Sequence, residues 1–137
     1  MIAYLDSSVL LRLVLGQSDA LAQWADVEAG VASRLVEVEC LRTLDRLRLV
    51  EGLDDRELAI RRETVFRVLE SVEIVELTRP VLARASLPMP TSLGTLDAIH
   101  LATALLWAER EDLPLVMATH DQLLATAARA SGLRVIG

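Results

Sequence analysis

The stretch TLDAIHLATALLWAER (residues 95–110), followed closely by LPLVMATHD (residues 113–121), decides the fold class of this chain. The first segment has the length and apolar content of a buried helix, and the second is a short apolar run typical of a buried strand. A helix that leads directly into a buried strand is the repeating unit of a parallel α/β sheet. Polar residues interrupt both segments: Asp97 and His100 lie within the helix, and Asp121 follows the strand.

The remaining segments alternate between strand-like and helix-like patterns along the whole chain. The predicted strands are residues 1–5, 30–33, 71–77, 113–119 and 133–137. The predicted helices are residues 9–15, 19–29, 34–50, 54–69, a short one from residue 78, 95–110 and 121–131. This alternation predicts a mainly parallel sheet covered by helices on both faces. The expected fold is a single three-layer α/β/α domain that spans residues 1–137.

Local signals set several of these boundaries. Asp54 and Glu57 form a capping-box pattern, which begins a helix. Pro80 suits the first turn of the short helix that follows. The loop LPMPTSLG (residues 87–94) contains two prolines and a glycine and separates this short helix from the long one after it.

Composition excludes several classes of function. The formal net charge is −6 and the pI is about 4.9, so the chain lacks the basic footprint of a protein that grips phosphates by charge. All 14 basic residues are arginine, and the absence of lysine excludes a Walker-type phosphate loop and a Schiff-base mechanism. The single cysteine, Cys40, excludes an internal disulfide and a thiolate metal cage.

The start of the chain does not resemble a targeting segment. No positively charged region precedes its apolar residues, and Asp6 follows them at once. No uncharged apolar run approaches the roughly 18 residues that a membrane-spanning helix needs. The sequence therefore predicts a cytoplasmic protein with no membrane partner.

Three aspartates occupy the edge of the predicted sheet at which ligands bind. Asp6 directly follows the first strand, Asp97 lies in the first turn of its helix, and Asp121 begins the helix after strand 113–119. The carboxyl ends of parallel strands meet the helix N-termini at this edge. The helix dipole alone explains any one of them, since it stabilises a first-turn acid by about 0.3–1 kcal/mol. Their joint placement predicts a shared acidic cleft.

Carboxylates that converge among apolar neighbours repel one another and lose hydration, which costs several kcal/mol unless cations compensate. Arg12 is a candidate for part of this compensation, and a bound divalent ion is the more economical solution. Oxygen ligands of this kind favour Mg²⁺ or Mn²⁺. His100 and His120 do not make a zinc site. We expect each of them at the surface or behind the ligands rather than bound to the metal.

A fourth acid is expected on the helix of residues 34–50, where Glu37 and Glu39 lie on different faces. Apolar residues surround nearly the whole circumference of this helix, so periodicity does not choose between the two glutamates. The same pattern predicts burial on more than one side, as at a subunit interface.

Four segments together resemble a known family. They are YLDSSVLLRL (4–13), SRLVEVECLRTLDRL (33–47), LDAIHLATAL (96–105) and ATHDQLLATAARASGL (118–133). In this order and spacing they are similar to the PIN-domain family, and within it to the VapC-type toxins of bacterial toxin–antitoxin pairs. The likeness covers essentially the whole chain and implies a PIN-like fold.

The resemblance places the catalytic and metal-binding carboxylates of the family on four residues: Asp6, Glu39, Asp97 and Asp121. A glutamate followed three residues later by arginine is the family pattern, and it selects Glu39, with Arg42, over Glu37. Thr119 matches a small hydroxyl residue that the family often carries two residues before the last aspartate. Ser8 matches a polar position just after the first.

The resemblance also implies a function and partners. It implies an endoribonuclease that depends on Mg²⁺ or Mn²⁺, hydrolyses RNA phosphodiester bonds, forms a homodimer and is inhibited by a cognate VapB-like antitoxin. Arg12, Arg42 and Arg46 are candidate RNA contacts. The loop PTSLGT (residues 90–95) departs from the family, because relatives often carry a basic residue there. This departure affects what is expected of RNA binding or substrate preference, and it does not affect the expected metal site.

Two other functions compete with this interpretation. Asp6 at the end of the first strand fits transfer through an aspartyl-phosphate. However, the residue two positions on is Ser8 rather than a second aspartate, and the chain has no lysine. The high apolar content fits a non-catalytic interaction domain. Against that alternative, a degenerate nuclease would not be expected to keep all four acids.

Overall fold

Five parallel strands form the centre of the computed structural model, which describes residues 1–137. They are β1 (Ile2–Leu5), β2 (Ala29–Ser33), β3 (Val72–Val75), β4 (Val116–Ala118) and β5 (Arg134–Ile136). Their order in the sheet is β3-β2-β1-β4-β5, and every neighbouring pair is parallel. β1 is therefore central, and its carboxyl end lies between those of β2 and β4.

Six helices cover the sheet. They are α1 (Ser7–Val14), α2 (Leu35–Glu51), α3 (Asp55–Glu70), α4 (Arg79–Ala85), α5 (Thr95–Glu111) and α6 (Gln122–Ala130). Alternate residues of β1 point to opposite faces. Ala3 and Leu5 pack into a core with residues of α1, α2 and α3, whereas Tyr4 packs with residues of α5 and α6. The predicted three-layer α/β/α arrangement is confirmed.

The helix predicted for residues 19–29 is wrong. This region contains only one 3₁₀ turn, Trp24–Asp26, and its backbone bonds join residues three apart. Only Leu21 of the segment is fully buried. The terminal ammonium of Met1 donates to the Asp26 carbonyl at 2.7 Å. The chain therefore already runs beside the start of β1 at Asp26, where the predicted helix would have continued to residue 29.

Two other expectations for the helices have different outcomes. The predicted cap of α3 is confirmed, since the Asp54 carboxylate accepts the backbone N–H of Glu57 at 2.8 Å. Within the single chain α2 is buried on one side, and the subunit interface expected on its other apolar residues stays a prediction. Its fully buried residues form one stripe, Val36, Cys40 and Leu44, while other apolar side chains of α2 are exposed.

The fourth strand is shorter than the predicted 113–119. It covers Val116–Ala118 only, and Leu113 and Pro114 before it are exposed. Proline has no N–H for the sheet ladder, which explains the late start. None of the six helices combines the length and apolar character needed to cross a membrane.

Candidate active site

Asp6 is held rigidly at the carboxyl end of β1. It is the N-cap of α1, is only 4 % exposed, and accepts the backbone N–H of Ser7 at 2.7 Å. Its second oxygen accepts the hydroxyls of Ser8 at 2.6 Å and Thr119 at 2.8 Å. Thr119 lies beside it because Leu5 pairs with Ala118 in the sheet. The two predicted hydroxyl residues therefore both contact Asp6.

Asp121 occupies the equivalent position one strand away. Its carboxylate caps α6 by accepting the N–H groups of Leu123 and Leu124 at 2.8 and 2.9 Å. Its own N–H donates to the Thr119 hydroxyl at 3.0 Å. Thr119 thus bridges the segments that carry Asp6 and Asp121, and it fixes their relative position.

Glu39 joins this site through a buried histidine. The Nε2 atom of His100 lies 2.6 Å from Glu39 Oε1 and 3.8 Å from Asp6 Oδ1, and its Nδ1 atom lies 2.8 Å from the Tyr4 hydroxyl. That hydroxyl also accepts the backbone N–H of Ser33. His100 is completely buried, so the expectation of a surface position is wrong and the position behind the acids is the correct one.

The structure distinguishes the two glutamates of α2. Glu37 lies 3.5 Å from Arg34 in an ion pair at the surface. Glu39 is turned toward His100, whose Nε2 atom also lies 3.8 Å from Asp6. The geometry therefore places Glu39, and not Glu37, in the acidic cleft.

Asp97 completes the group of four carboxylates. Its pKa is raised above the usual carboxyl value, first by burial and then by the negative charges of Asp121 and Asp6, with a smaller contribution from Glu39. The positive charge of His100 acts in the opposite direction. All four acids consequently share one electrostatic field at the carboxyl edge of the sheet.

No arginine neutralises this field. Arg12, the expected candidate, pairs with Asp19 instead, and Arg42 lies 3.5 Å from Asp45 on the outside of α2. The nearest cation is His100. Burial lowers its pKa, but the hydrogen bond and charge of Glu39, together with Asp6 and Asp97, raise it above the usual histidine value overall.

The donor chemistry of the cleft fits a hard divalent cation. Four carboxylates without an arginine partner supply oxygen ligands and excess negative charge, which Mg²⁺ and Mn²⁺ prefer. In this conformation no three histidine, cysteine, aspartate or glutamate side chains form a group that could hold one ion. The donor set therefore fits the ion in chemistry, while its present spacing is not a preformed cage.

Comparison with known proteins agrees with the geometry. The family profile described as "PIN domain" matches residues 3–130. The chain belongs to the PIN-domain family, among its VapC-type members. It is 34 % identical over 137 residues to Ribonuclease VapC46 of Mycobacterium tuberculosis, and this match covers 97 % of the chain and 95 % of the relative. It is 36 % identical over 138 residues to Ribonuclease VapC35 of the same species, with 97 % and 94 % covered.

Solved structures share the PIN fold at lower sequence identity. FitAcB from Neisseria gonorrhoeae superposes with a TM-score of 0.69 at 18 % identity and covers 100 % of this chain and 97 % of that one. VapBC2 from Rickettsia felis, solved with a DNA fragment from its promoter, superposes with a TM-score of 0.67 at 13 % identity, covering 98 % and 97 %.

Sequence reasoning missed the part that His100 and Tyr4 have in this PIN-domain cleft. His100 lies three residues after Asp97 on α5, but the two side chains do not form a hydrogen bond. Residues three apart on a helix point about 60° away from each other, and His100 turns toward α2 and β1 instead. A sequence signal existed, because a histidine flanked by Ile99 and Leu101 needs a buried polar partner.

The raised pKa values predict how the metal-free PIN domain responds to pH. His100 and Asp97 both bind protons more strongly in the folded state than in the unfolded state. Unfolding free energy should therefore fall as pH rises, from 6.5 through the raised value of His100 and, at lower pH, from 3.8 through that of Asp97. Urea unfolding in EDTA across this range measures the effect.

Asp97→Asn separates the two contributions. In EDTA at neutral pH this variant should be as stable as the wild type or more stable, because it removes a carboxylate repelled by its neighbours. Only the histidine-dependent slope should remain. If the unfolding free energy of both proteins were equal and independent of pH, the electrostatic interpretation of the cleft would be contradicted.

Proposed function

We propose that this protein is a Mg²⁺- or Mn²⁺-dependent endoribonuclease and the toxin of a toxin–antitoxin pair. The observation that carries the proposal is a cleft of four carboxylates, from four separate parts of the chain, with no arginine partner. Support comes from relatives that are 34–36 % identical over nearly the whole chain and are named ribonucleases.

Asp6, Asp97 and Asp121 would hold the ion, with Glu39 as a fourth carboxylate. When bound, such an ion activates water and offsets the charge that develops on the phosphate. The protein fixes Asp6 by four hydrogen bonds and Asp121 by its capping role. Asp97 has the most freedom to adjust, because it is only partly buried and no neighbour hydrogen-bonds its carboxylate.

Glu39 is the best-placed residue to orient the attacking water. It is partly exposed, so it can reach a solvent molecule, and His100 holds one of its oxygens from behind. Its second oxygen, Oε2, makes no hydrogen bond to another residue and is free to accept a proton from water. Glu39 then acts as the orienting base, while Asp6 stays fixed by its hydrogen-bond donors.

A short groove beside Glu39 offers cations to the RNA backbone. Ser7, Glu39, Arg42 and Arg46 line it. Arg46 contacts only the Thr43 hydroxyl at 3.4 Å and forms no ion pair. Arg42, 75 % exposed, makes one loose contact with Asp45. Both arginines are therefore available for phosphates, which lets an acidic protein bind RNA through a few local contacts.

Partners follow from the same proposal. An antitoxin segment would cover the apolar groove between α2 and the end of β3, which includes Val38, Leu41 and Leu77. Val38 is 51 % exposed although it is apolar, as expected for a protein-binding surface. The proposal includes a homodimer and, because the substrate is cellular RNA, a cytoplasmic location.

The two glutamates of α2 provide a matched test. Glu39→Gln should lower RNA cleavage by about 100- to 10,000-fold, the usual contribution of a positioned general base. Glu37→Gln, on the same helix, should cleave like the wild type because Glu37 lies outside the cleft. The assay is cleavage of a structured RNA pool in Mg²⁺, with EDTA as the blank. Equal loss in both variants would argue against a role specific to Glu39.

Metal binding is tested separately from activity. Millimolar Mg²⁺ or Mn²⁺ should raise the melting temperature of the wild type, because an ion that binds only the folded state stabilises it. Asp97→Asn should lose this response while remaining folded. If neither ion changed the melting temperature of the wild-type protein, the result would count against the metal site.

A further inference from the structure

A second concave site lies beside the acidic cleft. It is a cavity of about 560 Å³ between α4, the loop of residues 86–94 and the first turns of α5. Its size falls within the range of small-molecule pockets. The catalytic carboxylates do not line it, so it is distinct from the metal-binding part of the cleft.

The lining has a specific chemistry. No charged side chain contributes to it: the walls are apolar, as at Leu82, Met89 and Ile99, and hydroxyls such as those of Thr91 and Thr95 interrupt them. The Thr91 hydroxyl is buried and has no hydrogen-bond partner. An unpaired buried hydroxyl is costly, so a ligand would gain binding free energy if a rotation of the Thr91 side chain turned this hydroxyl into the cavity.

The cavity and the cleft share the start of α5. Thr95, two residues before Asp97, and Ala98, one residue after it, line the cavity. Thr95 and Asp97 point to different sides of α5, so an RNA strand that reaches both sites would pass the helix start at Gly94. The space beside Gly94 is open, because a methyl group built there would meet no atom within 4 Å.

We propose that this cavity binds one unpaired base of the RNA strand whose phosphodiester occupies the acidic cleft. The inference rests on the proposed ribonuclease function. A nucleobase is uncharged, has apolar faces and carries hydrogen-bonding edges, which matches the lining. RNA is read mainly through unpaired bases that are turned out of the strand. A phosphate does not suit the cavity, because no cation lines it. The neutral loop of residues 90–95 thus forms a base pocket rather than a backbone contact.

Two variants test the cavity without touching the carboxylates. Ala85→Phe places a ring in it, and Thr91→Val removes the unpaired hydroxyl while keeping the shape. Thr126→Val is the matched control, because the exposed Thr126 hydroxyl bonds only to the Gln122 carbonyl on α6. Circular dichroism and melting temperature establish that each variant is folded.

The first measurement is cleavage of one RNA oligonucleotide in which an abasic site replaces each base in turn. In the wild type and Thr126→Val, one abasic position near the scissile bond should lower cleavage by about tenfold or more, the usual size of a pocket contact. Ala85→Phe should cleave the intact RNA as slowly as the abasic one, and Thr91→Val should fall between. The proposal would be overturned if no abasic position lowered the cleavage rate of the wild type. It would also be overturned if the same abasic position lowered cleavage by Ala85→Phe as much as cleavage by the wild type.

The second measurement does not depend on cleavage. Adenosine, guanosine, cytidine and uridine are titrated into metal-free protein while the methyl resonances of Thr91, Ala98 and Ile99 are followed by NMR. At least one nucleoside should shift them in the wild type and none in Ala85→Phe. Such shifts in a protein that cleaves no RNA would support the base pocket and contradict the ribonuclease. Cleavage without any shift, as for a cavity that serves a protein partner, would overturn the pocket and leave the ribonuclease standing.

Discussion

Asp6→Asn should lower RNA cleavage by at least about 1,000-fold. This side chain is the most firmly held of the four acids, because four donor groups bond to its two oxygens. A metal ion contributes several kcal/mol of charge stabilisation to the transition state, and each 1.4 kcal/mol or so corresponds to a tenfold change in rate. If Asp6 holds the ion as proposed, removing its charge should therefore abolish nearly all activity. The measurement is single-turnover cleavage of an RNA oligonucleotide at saturating Mg²⁺.

The size of this effect depends on the fold surviving the change. Asparagine keeps the shape of aspartate, and its amide oxygen can still accept the Ser7 N–H that caps α1. Asp55→Asn is the control, since Asp55 is an exposed first-turn acid of α3, far along the chain from any cleft residue. Residual cleavage by Asp6→Asn that matches the control would mean a contaminating nuclease or a mechanism that does not use this carboxylate.

The sequence predicts the location of the aspartates because their positions follow from local rules. Asp6 and Asp121 directly follow buried parallel strands, and the carboxyl ends of neighbouring strands form one edge. Asp97 begins a helix that runs back along the sheet. These three placements need only the alternation of strands and helices, which the apolar segments show clearly. The choice of Glu39 is different, because the circumference of α2 gave no preference and only the resemblance selected it.

The contacts between the site residues could not be predicted, because each joins distant parts of the chain. Thr119 reaches Asp6 only through the register that pairs Leu5 with Ala118. The pairing of Arg12 with Asp19 depends on the loop after α1, where a helix was wrongly expected. A short segment such as 19–29 has weak periodicity, and tertiary packing overrides it. Arg12, which was expected beside the carboxylates, therefore lies outside the cleft, and the nearest cation to the carboxylates is His100.

His100→Ala should lower the free energy of unfolding by about 3–8 kcal/mol. Truncating a fully buried ring leaves a cavity worth about 2–5 kcal/mol, and the Tyr4 hydroxyl, left with only the bond from the Ser33 N–H, adds about 1–3 kcal/mol. A domain of this kind has only about 5–15 kcal/mol in total, so this variant should unfold at much lower urea concentration or fail to fold. Urea denaturation with two spectroscopic probes measures the change.

His100→Gln separates stability from function, because glutamine fills much of the space and can still donate to Glu39. It should remain folded, yet lower cleavage by about 10- to 100-fold, as expected when a residue behind a metal ligand is disturbed. Because His100 touches Glu39 and is buried away from substrate, the loss should be in kcat with little change in KM. Leu105→Ala is the control: this partly buried side chain of α5 packs against the core beneath the helix and is apolar, so it takes no part in the hydrogen bonds of His100. A similar loss of kcat in Leu105→Ala would show that general loosening of α5, and not the orientation of Glu39, limits the reaction.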